Sequence, residues 1–253
     1  MMSNRLVILL LLLQLSLSGC ASSGKVTDER DPWEGFNRSI YSFNENVDNY
    51  VMKPVARGYQ FITPRWIDTG VSNFFGNLGD IPNALNNLLQ AKPLDFVGDL
   101  TRFGVNSTIG LAGFFDVATP IGLEKHNEDF GQTLAVWGIG NGNYLVLPFL
   151  GPSSIRDGAG WVGDFNSEPY YHHNDESTYY TLLSLDFIDT RADLLGASRV
   201  LEQASFDPYT FHRETYFQHR QNLIYDGNPP VEEPSLEELD LLNGLELEVA
   251  PPK

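Results

Sequence analysis

From Asp31 to Lys53 the apolar residues return at spacings of three and four, through Trp33, Phe36, Ile40, Phe43, Val47 and Tyr50. Residues at that spacing share a face only on an α-helix, so the stretch is committed to a helix with an aromatic seam. Asp31 can cap it, Pro32 suits a first turn that needs no amide hydrogen, and Glu34 closes a capping box back to Asp31. Pro54 is the expected stop, giving a length of roughly 35 Å at about 1.5 Å per residue. The opposite face carries Asn37, Tyr41, Asn44 and Asp48. Asn weakens helices by bonding its own backbone, so a purely solvated face is better built from Lys, Glu, Gln and Arg. These amides form either a mediocre solvated face or the wall of something wet that should carry little charge.

The same patterning recurs in short lengths punctuated by Pro and Gly. Pro64 opens a helix with Trp66, Val71, Phe74, Phe75 and Leu78. Asp80-Ile81-Pro82 opens another, with Leu85, Leu88 and Leu89 opposite Asn83, Asn86 and Asn87. Pro93 opens a third through Leu94, Val97, Leu100 and Phe103. Phe130–Trp137 reads as a short helix, and Ser154–Phe165 as one whose Gly158, Gly160 and Gly163 permit close packing. Ser177–Gln203 reads as a long helix, and Asp207-Pro208 repeats the Asp-Pro opening before Tyr209–Tyr225. The expected class is all-α. No segment after the leader reaches the ~18 apolar residues of a spanning helix. Such aromatic faces either pack together as a core or lie in the plane of a membrane.

Between these helices Gly138, Gly140 and Gly142 alternate with Ile139, Asn141 and Asn143, which reads as a flexible hairpin. The context is wrong for a dinucleotide fingerprint. The apolar run Tyr144–Pro152 that follows is either buried and extended or exposed to lipid.

The chain opens with Arg5, an apolar run Leu6–Leu13 too short to span a bilayer, and then Leu17, Ser18, Gly19 and the only cysteine, Cys20. This resembles a bacterial lipobox, in which cleavage before Cys20 is followed by attachment of a diacylglycerol and an N-acyl chain. Residues 1–19 are then a signal peptide and 20–30 an acylated tether, with Ala21 rather than Asp pointing to the outer membrane. Residues 31–226 form the folded domain. Residues 227–253, rich in Glu and Asp, form an acidic tail expected to be disordered apart from one short helix. The formal net charge of −17 repels nucleic acid and acidic headgroups, so membrane contact beyond the anchor must come from apolar burial.

Chemistry is harder to find. His126, His172, His173, His212 and His219 form no H-E-x-x-H, and the acylated cysteine leaves none for a metal. His212 and His219 share a helix face, each followed by an arginine. No Gly-x-Ser-x-Gly elbow occurs. These features favour binding or transport over catalysis, with no cofactor beyond the acyl chains.

Several short strings then resemble one family in order: Asp31-Pro32-x-Glu34-Gly35-Phe36-Asn37-Arg38, Phe43-Asn44, Lys53-Pro54-Val55-Ala56, Ser72–Leu78, Thr101-Arg102-Phe103 and Gly113–Ala118. Phe130–Leu134, Leu147-Pro148-Phe149, Arg156-Asp157, Thr190-Arg191-Ala192 and Ser205–Tyr209 continue the likeness. Together they resemble the MlaA (VacJ) outer-membrane lipoproteins over about Asp31–Tyr225. The resemblance implies a ring of short amphipathic helices embedded in one leaflet. It implies passage of mislocalised outer-membrane phospholipid through a central polar channel to the periplasmic carrier MlaC, in company with trimeric porins and without catalysis. It makes Asn37, Asn44 and Asp48 the candidate channel face and Gly138, Gly140 and Gly142 a candidate gate. Ser42 and Phe43, midway along the first helix, are where a deletion rotates one face against the other. The alternatives are an outer-membrane scaffold for porins or assembly factors without lipid passage, and a lipid hydrolase.

Overall fold

A computed structural model describes residues 28–167, 169, 175–204 and 206–230, the side chains of 200–204 excepted. The leader, Leu17–Cys20 and the acidic tail from Val231 lie outside the described residues. The elements in chain order are α1 (Glu34–Val47), a π-helical turn (Asp48–Met52), α2 (Lys53–Ile62), α3 (Arg65–Leu89) and α4 (Pro93–Thr108). A 3-10 turn (Thr119–Ile121) and α5 (Phe130–Val136) lead to a hairpin of β1 (Tyr144–Leu147) and β2 (Gly151–Ser154). Then come α6 (Ile155–Ser167), α7 (Glu176–Asp193), α8 (Leu195–Ala204) and α9 (Pro208–Ile224). The fold is mostly helical, and the antiparallel hairpin, with Tyr144 opposite Ser154 and Leu147 opposite Gly151, corrects the all-α expectation.

Two prolines expected at boundaries sit inside helical runs. Pro54 falls in the first turn of α2, and the π turn just before it re-registers the hydrogen-bond ladder around the missing amide. Helical backbone therefore continues from Glu34 to Ile62 instead of stopping. Pro82 lies within the 25-residue α3, so the two helices expected there are one. Packing of α3 along α4 outweighs the local cost of the lost bond. The long helix expected over Ser177–Gln203 is divided at Leu194 into α7 and α8.

The capping box at Asp31 is also absent: Trp33 occupies the cap position without a side-chain bond. Asp31 is instead fully buried, accepting from Asn37 Nδ2 at 2.8 Å, from Arg213 at 3.2 Å and from the Tyr209 hydroxyl. Glu34 turns outward to Arg38. The second Asp-Pro opening behaves in the same way, since the Asp207 carboxylate takes a two-pronged contact from Arg38 at 2.6 and 3.0 Å. Each Asp-Pro helix start is thus held by an arginine of the other helix, Arg213 of α9 on Asp31 and Arg38 of α1 on Asp207. Arg213 also reaches Asp28, and Arg30 reaches Glu214, so the segment expected to be tether joins the fold by Asp28.

Tyr144, Val146 and Tyr209 form a small apolar core where the hairpin meets α1 and α9, with Ile40, Tyr41, Tyr216 and Phe217 against it. Close packing of α6 on α5 depends on Gly160, where a Cβ would run into the Gly131 backbone nitrogen. Elsewhere the interior is polar. Asn87 donates to Asp99 at 2.7 Å, Asn77 to Ser107 at 2.9 Å, and Asn106 Oδ1 accepts from the amides of Val117 and Ala118. Among the described residues, buried polar and charged side chains outnumber buried apolar ones, half of which are alanine. Phe61 and Leu94, in contrast, are 91% and 85% exposed. Globular domains show the reverse arrangement.

Candidate functional site

A cavity of about 430 Å³ lies against the polar face of α1, lined by Tyr41, Ser42, Glu45 and Asp48 together with Arg191, Asp207 and His212. It adjoins one of about 210 Å³ that adds Asn44, Phe187 and the hairpin tip, Phe149–Pro152. Leu194 borders both the first cavity and an acidic one of about 370 Å³ lined by Ser72, Gly76, Asp186, Asp189 and Asp193. Gly76 in turn borders a fourth, of about 630 Å³, holding Asn83, Lys125, His126, Glu128, Trp161, Asp164 and Phe165. Neighbouring cavities therefore share walls from α1 to α6.

Asp48 and Arg191 form the charged centre of the first wall, with Arg191 Nε and Nη2 on the two Asp48 oxygens at 2.6 and 2.8 Å. Burial opposes ionisation of Asp48, but Arg191 and Lys53 outweigh it and hold the carboxyl below its ordinary value. In the acidic cavity Tyr59 and Ser72 both donate to Asp189, at 2.6 and 2.9 Å. Burial and the neighbouring Asp189 charge push the Asp193 carboxyl upward. Asp164, accepting from the Phe130 amide at 2.8 Å, is pushed up to about 6, chiefly by burial. Asp80, fully buried on α3, reaches about 6 for the same reason.

The residues singled out on α1 divide. Ser42, Asn44 and Asp48 line the cavities. Asn37 does not: it is fully buried, donating to the Tyr144 carbonyl and accepting from the Val146 amide at 3.0 Å. Asn44 repeats this one loop further on, donating to Leu147 and accepting from the Phe149 amide at 2.9 and 2.8 Å. The amides thus clamp strand β1 and its turn along α1, because a carboxamide presents the donor and acceptor that an unpaired strand edge needs. Phe43 points away and meets the Phe149 ring edge-on at 5.3 Å.

The glycines belong to the connection from α5 to β1, and the hairpin lies after them. Gly138 and Gly140 line none of the four cavities, and Gly142 borders a separate one beside Arg30 and Arg220. The element that does reach the cavities is the Phe149–Pro152 tip. Sequence reasoning missed Arg191, the three aspartates of α7 and Lys125 as cavity residues. Three aspartates on one helix were the available signal.

Fold and site together define a mostly helical protein with a small hairpin, polar within and apolar without, enclosing adjoining polar cavities. The sequence pattern of the MlaA lipoprotein family matches residues 29–223, and the chain belongs to that family, which consists of transport lipoproteins and not enzymes. The intermembrane phospholipid transport system lipoprotein MlaA of Escherichia coli K12 is 38% identical over 240 residues, covering 87% of this chain and 89% of its own. Its Haemophilus influenzae counterpart is 32% identical, covering 89% and 93%. A structure solved to explain maintenance of bacterial outer membrane lipid asymmetry superposes with a TM-score of 0.67 at 33% identity, over 78% of this chain and 99% of that one.

Proposed function

We propose that this chain is anchored by acylated Cys20 and sits in the inner leaflet of the outer membrane as a ring of short helices. Mislocalised phospholipid passes through its polar interior to a periplasmic carrier of the MlaC kind, beside trimeric porins, and lipid asymmetry is thereby maintained. The inverted burial is the observation that carries this reading. Large apolar side chains such as Phe61, Ile62, Trp66 and Leu94 are exposed while Asp99, Arg102 and Asn106 are buried. Each exposed side chain contributes roughly 1.5–3 kcal/mol on moving from water into hydrocarbon. A chain of formal charge −17 gains little from acidic headgroups, so this burial supplies the membrane affinity. No described helix is long and apolar enough to cross a membrane, which suits one leaflet. The names of the E. coli and H. influenzae relatives support the cargo.

Deleting the gene should raise outer-leaflet phospholipid several-fold by headgroup-selective labelling of whole cells, with the full chain restoring it. An unchanged leaflet would sink the proposal. The glycine loop is tested separately. Gly142 holds φ +68°, which proline cannot adopt, so Gly142→Pro is expected to damage the fold. Gly140 has an ordinary φ and open space around it, and Gly140→Pro is the cleaner probe of a gating loop. If loop mobility gates passage, Gly140→Pro should reproduce much of the deletion phenotype at wild-type protein abundance. Wild-type asymmetry would make the loop a connector.

A further inference from the structure

The acidic cavity and the fourth cavity meet at Gly76, and the Lys125 side chain ends there, so that a Cβ on Gly76 would run into its Nζ. Lys125 makes no hydrogen bond or close ion pair among the described residues, unlike Lys53 and Lys92, which are both paired, and its charge acts at longer range on the buried Asp80 carboxyl. Its ammonium faces a space whose other named charges are mostly carboxylates. Two of these are already neutralised, Glu128 by Lys92 at 3.1 Å and Asp129 by Arg220. Asp164 has only neutral partners, the Phe130 amide and Asn86. Beside it on α6 the Trp161 and Phe165 rings lie 5.5 Å apart, with Trp161 44% exposed. An ammonium with no hydrogen-bonded partner, a carboxylate held by neutral donors and an exposed indole therefore line one cavity of about 630 Å³.

We propose that this cavity is a headgroup station for zwitterionic phospholipid, with Lys125 taking the phosphate and Asp164, Trp161 and Phe165 taking the amine. Resting on the passage reading above, it adds the lipid class and the place where the headgroup pauses. The ammonium is a point charge that can follow a moving phosphate, and a single unclamped lysine binds it without the bidentate grip that would trap it. A protonated amine is drawn to Asp164 and to the indole face, where cation–π attraction adds to the ionic one. An anionic headgroup without an amine meets Asp164 as a repulsion. A glycine at position 76 leaves the room the ammonium occupies.

The test uses the purified full-length chain in mild detergent, with dihexanoyl phosphatidylethanolamine and dihexanoyl phosphatidylglycerol as probes. Affinity is read from quenching of intrinsic tryptophan fluorescence and confirmed by calorimetry. The wild type should bind the ethanolamine probe at least about fivefold more tightly than the glycerol probe. Lys125→Met should weaken both about tenfold, while Lys125→Arg, which keeps the charge and adds a two-pronged grip, should bind both at least as tightly as the wild type. Trp161→Leu, read by calorimetry because it removes the indole in the cavity, should weaken only the ethanolamine probe. Gly76→Ala, which pushes the flexible ammonium aside without removing it, should weaken both probes less than Lys125→Met does. Equal affinity of Lys125→Met and wild type, or no preference for the ethanolamine probe, overturns the station. If either result accompanies a raised outer leaflet in the gene deletion, the passage reading stands and the station alone falls. Wild-type protein that binds neither probe, with an unchanged leaflet in the deletion, removes both.

Discussion

Arg213→Ala is expected to lower unfolding stability by about 3–5 kcal/mol, the usual cost of leaving a buried charge without its partner. Asp31 is fully buried and Arg213 only 6% exposed. The arginine reaches Asp31 at 3.2 Å and Asp28 at 3.1 Å, and its own ionisation is strengthened, as charged hydrogen bonds to Glu214 and Asp31 outweigh burial. After truncation the Asp31 carboxylate would keep Asn37 and the Tyr209 hydroxyl but no countercharge. The loss spreads because Asn37 also holds strand β1, so the start of α1, the hairpin and α9 share one buried knot. Pairing Arg213→Met with Asp31→Asn removes both charges and should cost clearly less than the sum of the single variants, since neither partner is then stranded. Chemical denaturation of the full chain in detergent measures both. A single-variant loss under about 1 kcal/mol, or simple additivity, would show that the pair is not coupled.

That knot also shows what was legible in the sequence. Apolar spacing located most of the helices, since spacing of three and four is a local property. The two errors at Pro54 and Pro82 arose because proline's cost is local while its compensation is tertiary. A π turn absorbs the first, and α4 packed along α3 supports the second. Asp31 reads as a cap in the sequence because its arginine lies 182 residues away in the chain. The amide stripe marks one face of α1 as unusual, but no periodicity says that Asn37 and Asn44 clamp β1 while Asp48 meets Arg191. Amphipathic patterning is symmetric in one further respect. It shows that a helix has two faces and does not say which one turns inward, and here the inward face is the polar one. Only contacts across the chain reveal that inversion.

Removing Ser42 and Phe43 separates the clamp from the cavity, and it is expected to raise outer-leaflet phospholipid at least to the level of the gene deletion while the protein still accumulates. Two residues fewer turn everything beyond them by about 200° on a helix of 3.6 residues per turn. Asn37 and Arg38 precede the deletion, so their bonds to β1 and Asp207 keep the folded knot. Asn44, Glu45 and Asp48 follow it and leave their places. The hairpin tip then loses its bonds to Asn44, and Arg191 loses Asp48 while still facing the first cavity. An unpinned tip and the departure of the Asp48 carboxylate from Arg191 beside it change both the width and the charge of the wall. Loss of passage and uncontrolled passage would each leave phospholipid outside, so the direction of the phenotype is fixed. Replacing Ser42 and Phe43 together by alanine keeps the helical phase, and that variant should stay close to wild type. Headgroup labelling of whole cells and membrane immunoblotting decide the matter: wild-type asymmetry in the deletion variant, or its disappearance from the membrane, would mean that the face of α1 does not govern the cavity.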